Sequence, residues 1–296
     1  MAHRIAFLGL GVMGYPMAGH LSRAGYDVVV YNRTGAKAER WCDEYAGRHA
    51  STPAEAVANA QIVFACVGND ADIDAVACGP AGALAAMSPD SIFVDHTTTS
   101  ARMARQLDAA ATAKGVGFVD APVSGGEAGA QNGKLTIMAG GTAADCARVE
   151  PVAAAYSHRW RRMGSAGTGQ LTKMVNQICI AGLLQALSEG VYFAEAAGLD
   201  TDAVFDVIGG GAAQSWQMDN RAKTMAAREF DFGFAVEWMR KDLGFALEEA
   251  RALGAQLPVT EIVDRYYAEV VANGGSRWDT SSLIARLGGG ERDCSE

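Results

Sequence analysis

The sequence predicts an α/β domain built on a parallel sheet, followed by an all-helical domain. The first half alternates short β-favouring runs with helical stretches, which is the pattern of repeated βαβ units. After about Met163 the pattern becomes helical almost without interruption. The length of 296 residues also exceeds one average domain. We therefore expect domains at residues 1–163 and 164–287, with a disordered tail at 288–296.

The apolar runs of the first domain are continuous rather than alternating, as expected where helices cover both faces of a sheet. The predicted strands are Ile5–Leu8, Val28–Tyr31, Ile62–Val67, Ile92–Asp95, Gly117–Asp120 and Leu135–Ala139. The predicted helices between them include Met13–Ala24, Ala36–Tyr45 and Ala101–Lys114.

A long helix is expected to join the two domains. The glycine-rich segment Gly164–Gly169 precedes a proline-free stretch from Gln170 to Ala197. Such a helix would be roughly 40 Å long, enough to leave one domain and form the core of the next. Further helices are predicted at Thr201–Ile208, Val236–Leu253, Pro258–Val271 and Thr280–Leu287.

Charge and composition narrow the class of partners. The net charge of −9 argues against nucleic acid or an anionic membrane as the main partner. Six cysteines lie scattered without a C-x-x-C pair, which favours reduced thiols over a disulfide framework. The first apolar run stops at Gly9, too early for a signal sequence, and no stretch approaches 18 consecutive apolar residues. We expect a cytoplasmic protein.

Two classes of enzyme site find no support. The five histidines show no metal-ligand spacing and no H-E-x-x-H motif, so we expect no metal. There is also no G-x-S-x-G elbow of the kind that many hydrolases use.

The strongest local signal is a G-x-G-x-x-G motif between the first predicted strand and helix. Glycines allow the tight turn and let backbone N–H groups approach a pyrophosphate at a helix N-terminus. The alternative is a glycine-rich turn that binds nothing. The position of the motif favours a dinucleotide site of Rossmann type, formed by Gly9, Leu10, Gly11, Val12, Met13 and Gly14.

The end of the second strand indicates which dinucleotide is bound. An NAD site usually offers a carboxylate there for the ribose 2′-hydroxyl. This chain instead has Asn32, Arg33 and Thr34, with Lys37 one helical turn later. Cations and a hydroxyl suit a 2′-phosphate, so NADP is favoured over NAD. The alternative is that Arg33 and Lys37 are solvated surface residues.

Four separated motifs carry a family resemblance. They are Phe7–Gly14 with Pro16-Met17, Asp120–Gly126, Gly167–Asn176 and Lys241–Leu243. These segments resemble the β-hydroxyacid dehydrogenase family, which includes 3-hydroxyisobutyrate dehydrogenase and tartronate semialdehyde reductase. The resemblance extends to about Leu287. It implies a 6-phosphogluconate dehydrogenase-like fold, a Rossmann domain plus an all-α domain, with the active site in the cleft between.

The resemblance also implies roles for individual residues. The lysine that matches Lys173 is the general acid/base of the family, and a carboxamide just after it assists. Here that carboxamide is Asn176 or Gln177, and which of the two contacts substrate stays open. The matching substrate loop holds the substrate carboxylate through Ser124, Gly125 and Gly126. The second lysine, Lys241, lies beside both cofactor and substrate.

The resemblance places the threonine run Thr97–Thr99 at the nicotinamide side of the cofactor, with Thr98 in the predicted contact set. Val67, which ends the third predicted strand, belongs to the same set. His96 precedes these threonines and is interpreted as an ordinary loop residue.

The residues themselves are consistent with these roles. Reduction of an aldehyde leaves developing negative charge on oxygen, which a lysine can neutralise and protonate. We place Lys173 in the first turn of the long helix, where the helix dipole and burial would lower its pKa. The alternative is that Lys173 is only a solvated charge near the start of the helix. The hydroxyl and N–H groups of Ser124–Gly126 can form a nest for a carboxylate, although such a loop can also be a plain turn.

Lys241 is expected on an apolar helix face with Phe234, Trp238 and Phe245, where a lysine is either functional or extends its amine to solvent. A long helix with apolar residues on several faces favours a homodimer or homotetramer.

Two further interpretations remain open. The chain could be a catalytically silent NADP-binding scaffold, which Lys173 and Ser124 disfavour. It could also be an imine reductase, a class that tends to replace the catalytic lysine. The substrate itself is not named by the sequence: 3-hydroxyisobutyrate, tartronate semialdehyde, glyoxylate and succinic semialdehyde are all candidates.

Overall fold

The computed structural model describes residues 4–288. The chain divides into two compact units between Lys173 and Met174, within the long helix rather than before it. Apart from Gly288, the tail that the sequence predicts to be disordered lies outside the described residues.

The first unit is built on one sheet. Within residues 4–288 its strands are β1 (Arg4–Leu8), β2 (Asp27–Tyr31), β3 (Arg48–His49), β4 (Ile62–Ala65), β5 (Ile92–Asp95), β6 (Gly117–Asp120), β7 (Val123–Ser124), β8 (Leu135–Gly141) and β9 (Ser157–Gly164). Strands β3-β2-β1-β4-β5-β6 are parallel and lie in that order. β8 then runs antiparallel to β6 and β7, and β9 pairs with it in parallel. This order places a crevice at the carboxyl ends of β1 and β4, where dinucleotides bind in such sheets.

Helices follow most strands of this unit. They are α1 (Gly14–Arg23), α2 (Gly35–Glu44), α3 (Pro53–Val57), α4 (Asp70–Cys78), α5 (Ala101–Thr112), α6 (Gly126–Gln131), α7 (Ala143–Ala153) and the start of α8 (Thr168–Ala196). Two apolar clusters pack on the sheet, one around Phe7 and Phe64 and the other around Phe93 and Phe118. The interior strands are buried along their whole length, which explains why their sequences do not alternate.

The six predicted strands are confirmed, but three observed strands lack an apolar signal. β3 and β7 are only two residues long. β9 is an edge strand rich in charge, and its side chains are mostly exposed, including Arg159, Arg161 and Arg162. Hydrophobic patterning identifies strands by burial, so a largely solvated strand gives no such pattern.

The second unit is helical. It contains the rest of α8, then α9 (Thr201–Gly209), α10 (Trp216–Ala227), α11 (Val236–Leu253), α12 (Pro258–Ala272) and a 3₁₀ helix (Thr280–Arg286). The sequence analysis treats this last segment as an ordinary helix and predicts no helix at α10. The core of the second unit consists of one cluster around Met239 and Tyr267 and another around Leu187 and Met225. The two units confirm the predicted fold class.

Among the described residues, α8 is long and apolar enough to span a membrane by length and composition alone. This departs from the sequence analysis, which looked for an unbroken apolar run. Core helices of soluble proteins meet the same criteria, and 44% of the apolar window is buried in the structure. Buried polar side chains, among them Gln177 and Ser188, interrupt its apolar surface.

A polar pair is buried in the core of the first unit. His96 stacks on Phe64 with ring centroids 5.5 Å apart, and Tyr156 packs edge-on against both rings. The His96 Nδ1–H donates to the Ala121 carbonyl over 2.6 Å, so Nε2 is left to accept the Tyr156 hydroxyl at 2.9 Å. Burial lowers the pKa of His96 to about 4, which keeps the ring neutral near neutral pH. The His96 bond to Ala121 joins the loop after β5 to the residue that follows β6.

Tyr156→Phe is expected to lower the free energy of unfolding by about 1–3 kcal/mol, because it leaves the buried Nε2 of His96 without a donor. Urea unfolding measures this difference. Tyr192→Phe, at an exposed tyrosine of α8, is the matched control and should change little. Equal effects from the two substitutions would show that the buried hydrogen bond does not stabilise the unit.

Candidate active site

The glycine-rich turn lies between β1 and α1 and has the shape of a phosphate cradle. Gly9 has φ +100°, and a Cβ there would overlap the Cys66 carbonyl oxygen. A Cβ on Gly14 would overlap the Gly9 carbonyl oxygen, so both glycines are required by the packing of the turn itself. Gly11 differs, because nothing lies within 4 Å of the position its Cβ would take. The turn therefore fits a dinucleotide, whose pyrophosphate would come close to the backbone at Gly11.

Asn32 supports this turn from the end of β2. Its Oδ1 accepts the Leu10 N–H at 2.9 Å, and its Nδ2 donates to the Thr34 carbonyl at 3.0 Å. Asn32 thus fixes the position of the glycine-rich turn relative to the segment that follows β2.

Arg33, Thr34 and Lys37 form an exposed polar group just after β2. The Arg33 side chain is 86% exposed, and its Nη1 donates to Asp72 Oδ1 over 2.9 Å. Thr34 precedes α2 without a capping bond from its side chain. These groups are exposed at the carboxyl end of the sheet, which is compatible both with a ligand there and with solvated surface residues.

The segments after β4 and β5 are joined by hydrogen bonds. The Val67 N–H donates to Thr97 Oγ1 at 3.0 Å. Thr97 and Thr99 are buried, whereas Thr98 is only partly buried. Thr98 is therefore the threonine of this run with an accessible side chain.

The predicted substrate loop begins on β7. Val123 and Ser124 pair with Ile137 and Thr136 of β8, which holds the partly exposed Ser124 at a sheet position. Gly125 has φ +130°, a conformation that side chains rarely adopt, and it precedes α6. The strand thus positions the hydroxyl, while the glycine allows the chain to turn directly after it.

Asp120, at the end of β6, binds the beginning of α8. Its Oδ1 accepts the Gly167 N–H at 2.7 Å and its Oδ2 accepts the Gln170 N–H at 2.9 Å. Burial raises the pKa of Asp120 to about 7, although these N–H bonds favour the ionised form. On the neighbouring strand Asp95 is buried too, which likewise raises its pKa to about 7. Its Oδ1 accepts the Thr97 N–H at 2.9 Å.

Gln170 binds the same helix start to the threonine loop. The side chain is fully buried. Its Nε2 donates to the Thr97 carbonyl at 2.7 Å, and its Oε1 accepts the Thr99 N–H at 3.0 Å. The first turn of α8 is therefore attached to the end of β6 and to the segment that follows β5.

Lys173 follows on the next turn of α8 and is buried, with 8% of its surface exposed. The sequence analysis placed it in the first turn, which is wrong because the helix begins at Thr168. The effect of the helix dipole falls off within the first turn, so the dipole argument for a lowered pKa loses its basis. Burial remains as the feature that distinguishes this lysine.

In the second unit, Gln177 is the centre of a polar cluster. Its Oε1 accepts Asn176 Nδ2 at 2.8 Å, and its Nε2 donates to Asp242 Oδ2 at 2.7 Å. Gln177 and Asp242 are both 2% exposed, whereas Asn176 is partly exposed.

Lys241 lies on α11 beside this cluster. Its Nζ is 3.2 Å from Asp242 Oδ1, and it lies 5.8 Å and 5.5 Å from the ring centroids of Trp238 and Phe245. Phe234, which the sequence analysis placed on the same helix face, precedes the start of α11 at Val236. The charge of this lysine is thus held by one carboxylate and two aromatic rings.

Three polar residues had no role in the sequence analysis. Asp120, Gln170 and Asp242 lie inside the quoted motifs, yet each is buried and hydrogen-bonded. The sequence signal that could have identified them is a polar residue inside an otherwise apolar pattern. Among residues 4–288, no group of three or more His, Cys, Asp or Glu side chains is arranged to hold a metal ion.

Comparison with known proteins identifies the family. Residues 4–165 match the NAD binding domain of 6-phosphogluconate dehydrogenase. Residues 167–287 match the NAD-binding domain of NADP-dependent 3-hydroxyisobutyrate dehydrogenase. The chain belongs to the β-hydroxyacid dehydrogenase family. Members of this type are NAD(P)-dependent oxidoreductases that act on the CH–OH group of hydroxy acids, and this chain is one of them.

Relatives match over nearly the full length. An uncharacterised oxidoreductase of Shewanella frigidimarina (strain NCIMB 400) is 57% identical, over 96% of this chain and 98% of its own. The 2-hydroxy-3-oxopropionate reductase of Escherichia coli (strain K12) is 34% identical, over 96% and 97%. The structure of Mycobacterium tuberculosis 3-hydroxyisobutyrate dehydrogenase with L-serine is 33% identical, with a TM-score of 0.87 over 97% of this chain and 99% of that one.

Gly11→Ala is expected to leave the melting temperature unchanged, because the added methyl group enters open space. It should lower affinity for the nicotinamide cofactor at least about tenfold, because that space is where the pyrophosphate approaches the backbone. Fluorescence titration and thermal unfolding measure the two effects.

Gly14→Ala is the matched comparison, since its methyl group would overlap the Gly9 carbonyl oxygen. This substitution should lower the melting temperature. A Gly11→Ala protein that binds cofactor like the wild type would exclude the turn as the pyrophosphate site.

Proposed function

We propose that the protein is an NADP-preferring reductase that interconverts a small β-hydroxy acid and its semialdehyde, with Lys173 as general acid/base. The observation that carries this proposal is the burial of Lys173 on α8, one turn after residues bonded to the end of β6 and to the segment that follows β5. A lysine is almost never fully buried unless its amine is paired with another group. Lys173 is buried where its helix is attached to the carboxyl edge of the sheet, and dinucleotide sites lie at that edge.

Residues of the first unit would hold the cofactor. The turn Gly9–Gly14 offers backbone N–H groups to the pyrophosphate, and the accessible Arg33, Thr34 and Lys37 suit a 2′-phosphate. Thr98 and Val67 would lie along the nicotinamide side. Bound NADPH supplies the hydride.

Lys173 would serve the oxygen of the substrate. During reduction, negative charge develops on the carbonyl oxygen, and the Nζ ammonium group neutralises it and donates a proton. In the oxidative direction the neutral amine accepts the hydroxyl proton.

The substrate carboxylate would bind at the loop after β7. Ser124 offers a hydroxyl, and Gly125 and Gly126 offer backbone N–H groups without side chains in the way. The names of the relatives, a 2-hydroxy-3-oxopropionate reductase and a 3-hydroxyisobutyrate dehydrogenase, support a small substrate that carries both a carboxylate and a hydroxyl or aldehyde group.

We assign Asn176 rather than Gln177 to the substrate. Gln177 is buried, and both ends of its carboxamide are bonded to Asn176 and Asp242. Its part is therefore to orient Asn176. Lys241, paired with Asp242, is assigned to the cofactor and substrate as the family resemblance implies.

Arg33→Ala is expected to weaken NADPH binding by roughly 1–3 kcal/mol and to leave NADH binding nearly unchanged. The reason is that only NADPH carries the 2′-phosphate. Titration of both cofactors measures the difference, and Arg40→Ala, at an exposed arginine of α2, is the matched control. A wild-type preference for NADH, or equal losses for both cofactors, would contradict the NADP assignment.

The wild-type protein is expected to reduce glyoxylate, tartronate semialdehyde or succinic semialdehyde with NADPH, or to oxidise 3-hydroxyisobutyrate with NADP⁺. Lys173→Ala should lower kcat by about 10²–10⁴-fold, the usual contribution of general acid/base catalysis. Lys173→Arg should be almost as impaired, because a guanidinium group keeps its proton at any working pH.

Steady-state rates beside a titration with NADPH check this prediction, since cofactor binding should survive. Lys134→Ala, at an exposed lysine, should leave kcat unchanged. A Lys173→Ala protein within tenfold of wild type would exclude the lysine mechanism, and an inactive wild type that binds NADPH would indicate the scaffold alternative.

A further inference from the structure

We propose that Gln170 is a positioning residue, which uses both ends of its carboxamide to hold the threonine loop at a fixed distance from the helix that carries Lys173. This inference rests on the proposed function, since Lys173 is the group that is positioned. The Gln170 side chain is 0% exposed and makes no contact with solvent. It acts through Lys173 and Thr98 and touches no reacting atom.

The two hydrogen bonds require one donor and one acceptor at the end of the side chain. The Thr97 carbonyl needs a donor and the Thr99 N–H needs an acceptor, and Gln170 supplies Nε2 and Oε1 to them at 2.7 Å and 3.0 Å. The partly exposed Thr98 lies between these two anchored residues. The side chain therefore fixes the backbone on both sides of the residue that is assigned to the cofactor.

The backbone of Gln170 is fixed as well. Its N–H donates to Asp120 Oδ2, and the Gly167 N–H donates to the other oxygen of the same carboxylate. Gly169 has no room for a side chain, because a Cβ would meet the Met138 and Asp120 carbonyl oxygens. The helix start can move neither away from β6 nor away from the threonine loop without breaking these bonds. Lys173 lies on the next turn of α8, so the position of the helix start determines the position of this lysine.

The chemistry of glutamine offers a sharp test, because a protonated glutamate can make the same two bonds. In Gln170→Glu, the carboxylic acid O–H would donate to the Thr97 carbonyl while the other oxygen accepts the Thr99 N–H. An ionised carboxylate has no donor and would repel that carbonyl. The variant should therefore work in its protonated form and fail in its ionised form.

The surroundings determine where this change falls. Charged groups nearby are Asp95 at the end of β5, Asp120 at the end of β6, Asp70 of α4 bonded to Ser100, Lys173 on α8 and Arg105 on α5 beside Gly167. Burial and the three carboxyls raise the pKa of an introduced glutamate above its ordinary value, while the two cations oppose this. The protonated form is present below that pKa, so relative activity is lost as pH rises through it.

The experiment compares kcat of Gln170→Glu with that of wild type from pH 5.5 to pH 8. The ratio cancels the titration of the substrate and of groups far from position 170. We expect it to fall at least tenfold as pH rises. Gln106→Glu is the control for an added carboxylate: Gln106 is exposed on α5, its Oε1 accepts Arg102 Nη1, a partner that a carboxylate keeps, and its ratio should stay flat.

A second variant, Gln170→Met, keeps the approximate volume and removes both hydrogen bonds. It should lower kcat at least tenfold at every pH, with less than threefold change in KM for the aldehyde, since the loop at Ser124 is not altered. Hydrogen exchange measured by mass spectrometry should increase in the segments 96–100 and 167–173 and stay unchanged elsewhere in the first unit.

The outcomes are distinguishable. A flat ratio for Gln170→Glu, with circular dichroism showing folded protein at each pH, would overturn the proposal. Unfolding of both Gln170 variants would also overturn it, because the side chain would then be needed for folding itself. If the wild type turns over none of the substrates, the proposed function fails, and the exchange measurement alone decides: unchanged protection at 96–100 in Gln170→Met would reject the positional role.

Discussion

The carboxylate of Asp120 is the constraint on which the rest of the site depends. It ends β6 in the interior of the protein and accepts two backbone N–H groups from the segment that starts α8. A buried carboxyl group is costly unless it is hydrogen-bonded, and the start of a helix has N–H groups without partners in the helix. The carboxylate and the N–H groups of the helix start therefore satisfy each other's hydrogen bonds. The position of the start of α8 on the sheet, and of Lys173 on the next turn, follow from this match.

A second consequence concerns how the loops of the sheet are joined. The segment after β5 is held from one side by Gln170 and from the other by the His96 bond to Ala121. The segment after β4 is joined to it through Val67 and Thr97. The segments that follow β4, β5 and β6 thus share one hydrogen-bonded arrangement, in which each bond joins a side chain to a backbone group. A site supported in this way depends on the fixed geometry of these side chains.

Much of this architecture could be predicted from the sequence. The buried strands β1, β4 and β5 have continuous apolar runs, and the glycine motif lies between a strand and a helix, so periodicity and turn chemistry were sufficient. The strand β9 could not be found in this way, because its side chains are mostly solvated. The partners of Gln170 and Asp120 could not be found either. Their bonds join positions far apart in the chain, and local spacing carries no information about such pairs. Lys173 was predicted as a site residue from the family resemblance, but the argument for its pKa placed the start of the helix too late in the chain.

The arginines of β9 have a consequence for the whole molecule. A parallel sheet that ended on a bare apolar strand would present a row of unpaired N–H and carbonyl groups to any other chain, which is the usual route to edge-to-edge aggregation. In β9 this row is flanked by exposed Arg159, Arg161 and Arg162, and a second copy approaching along the same strand would meet the same cations. The protein carries a net charge of −9, so these side chains form an oppositely charged border on an acidic surface. A second copy that pairs along β9 would thus bring like charges together, which disfavours edge-to-edge association through this strand.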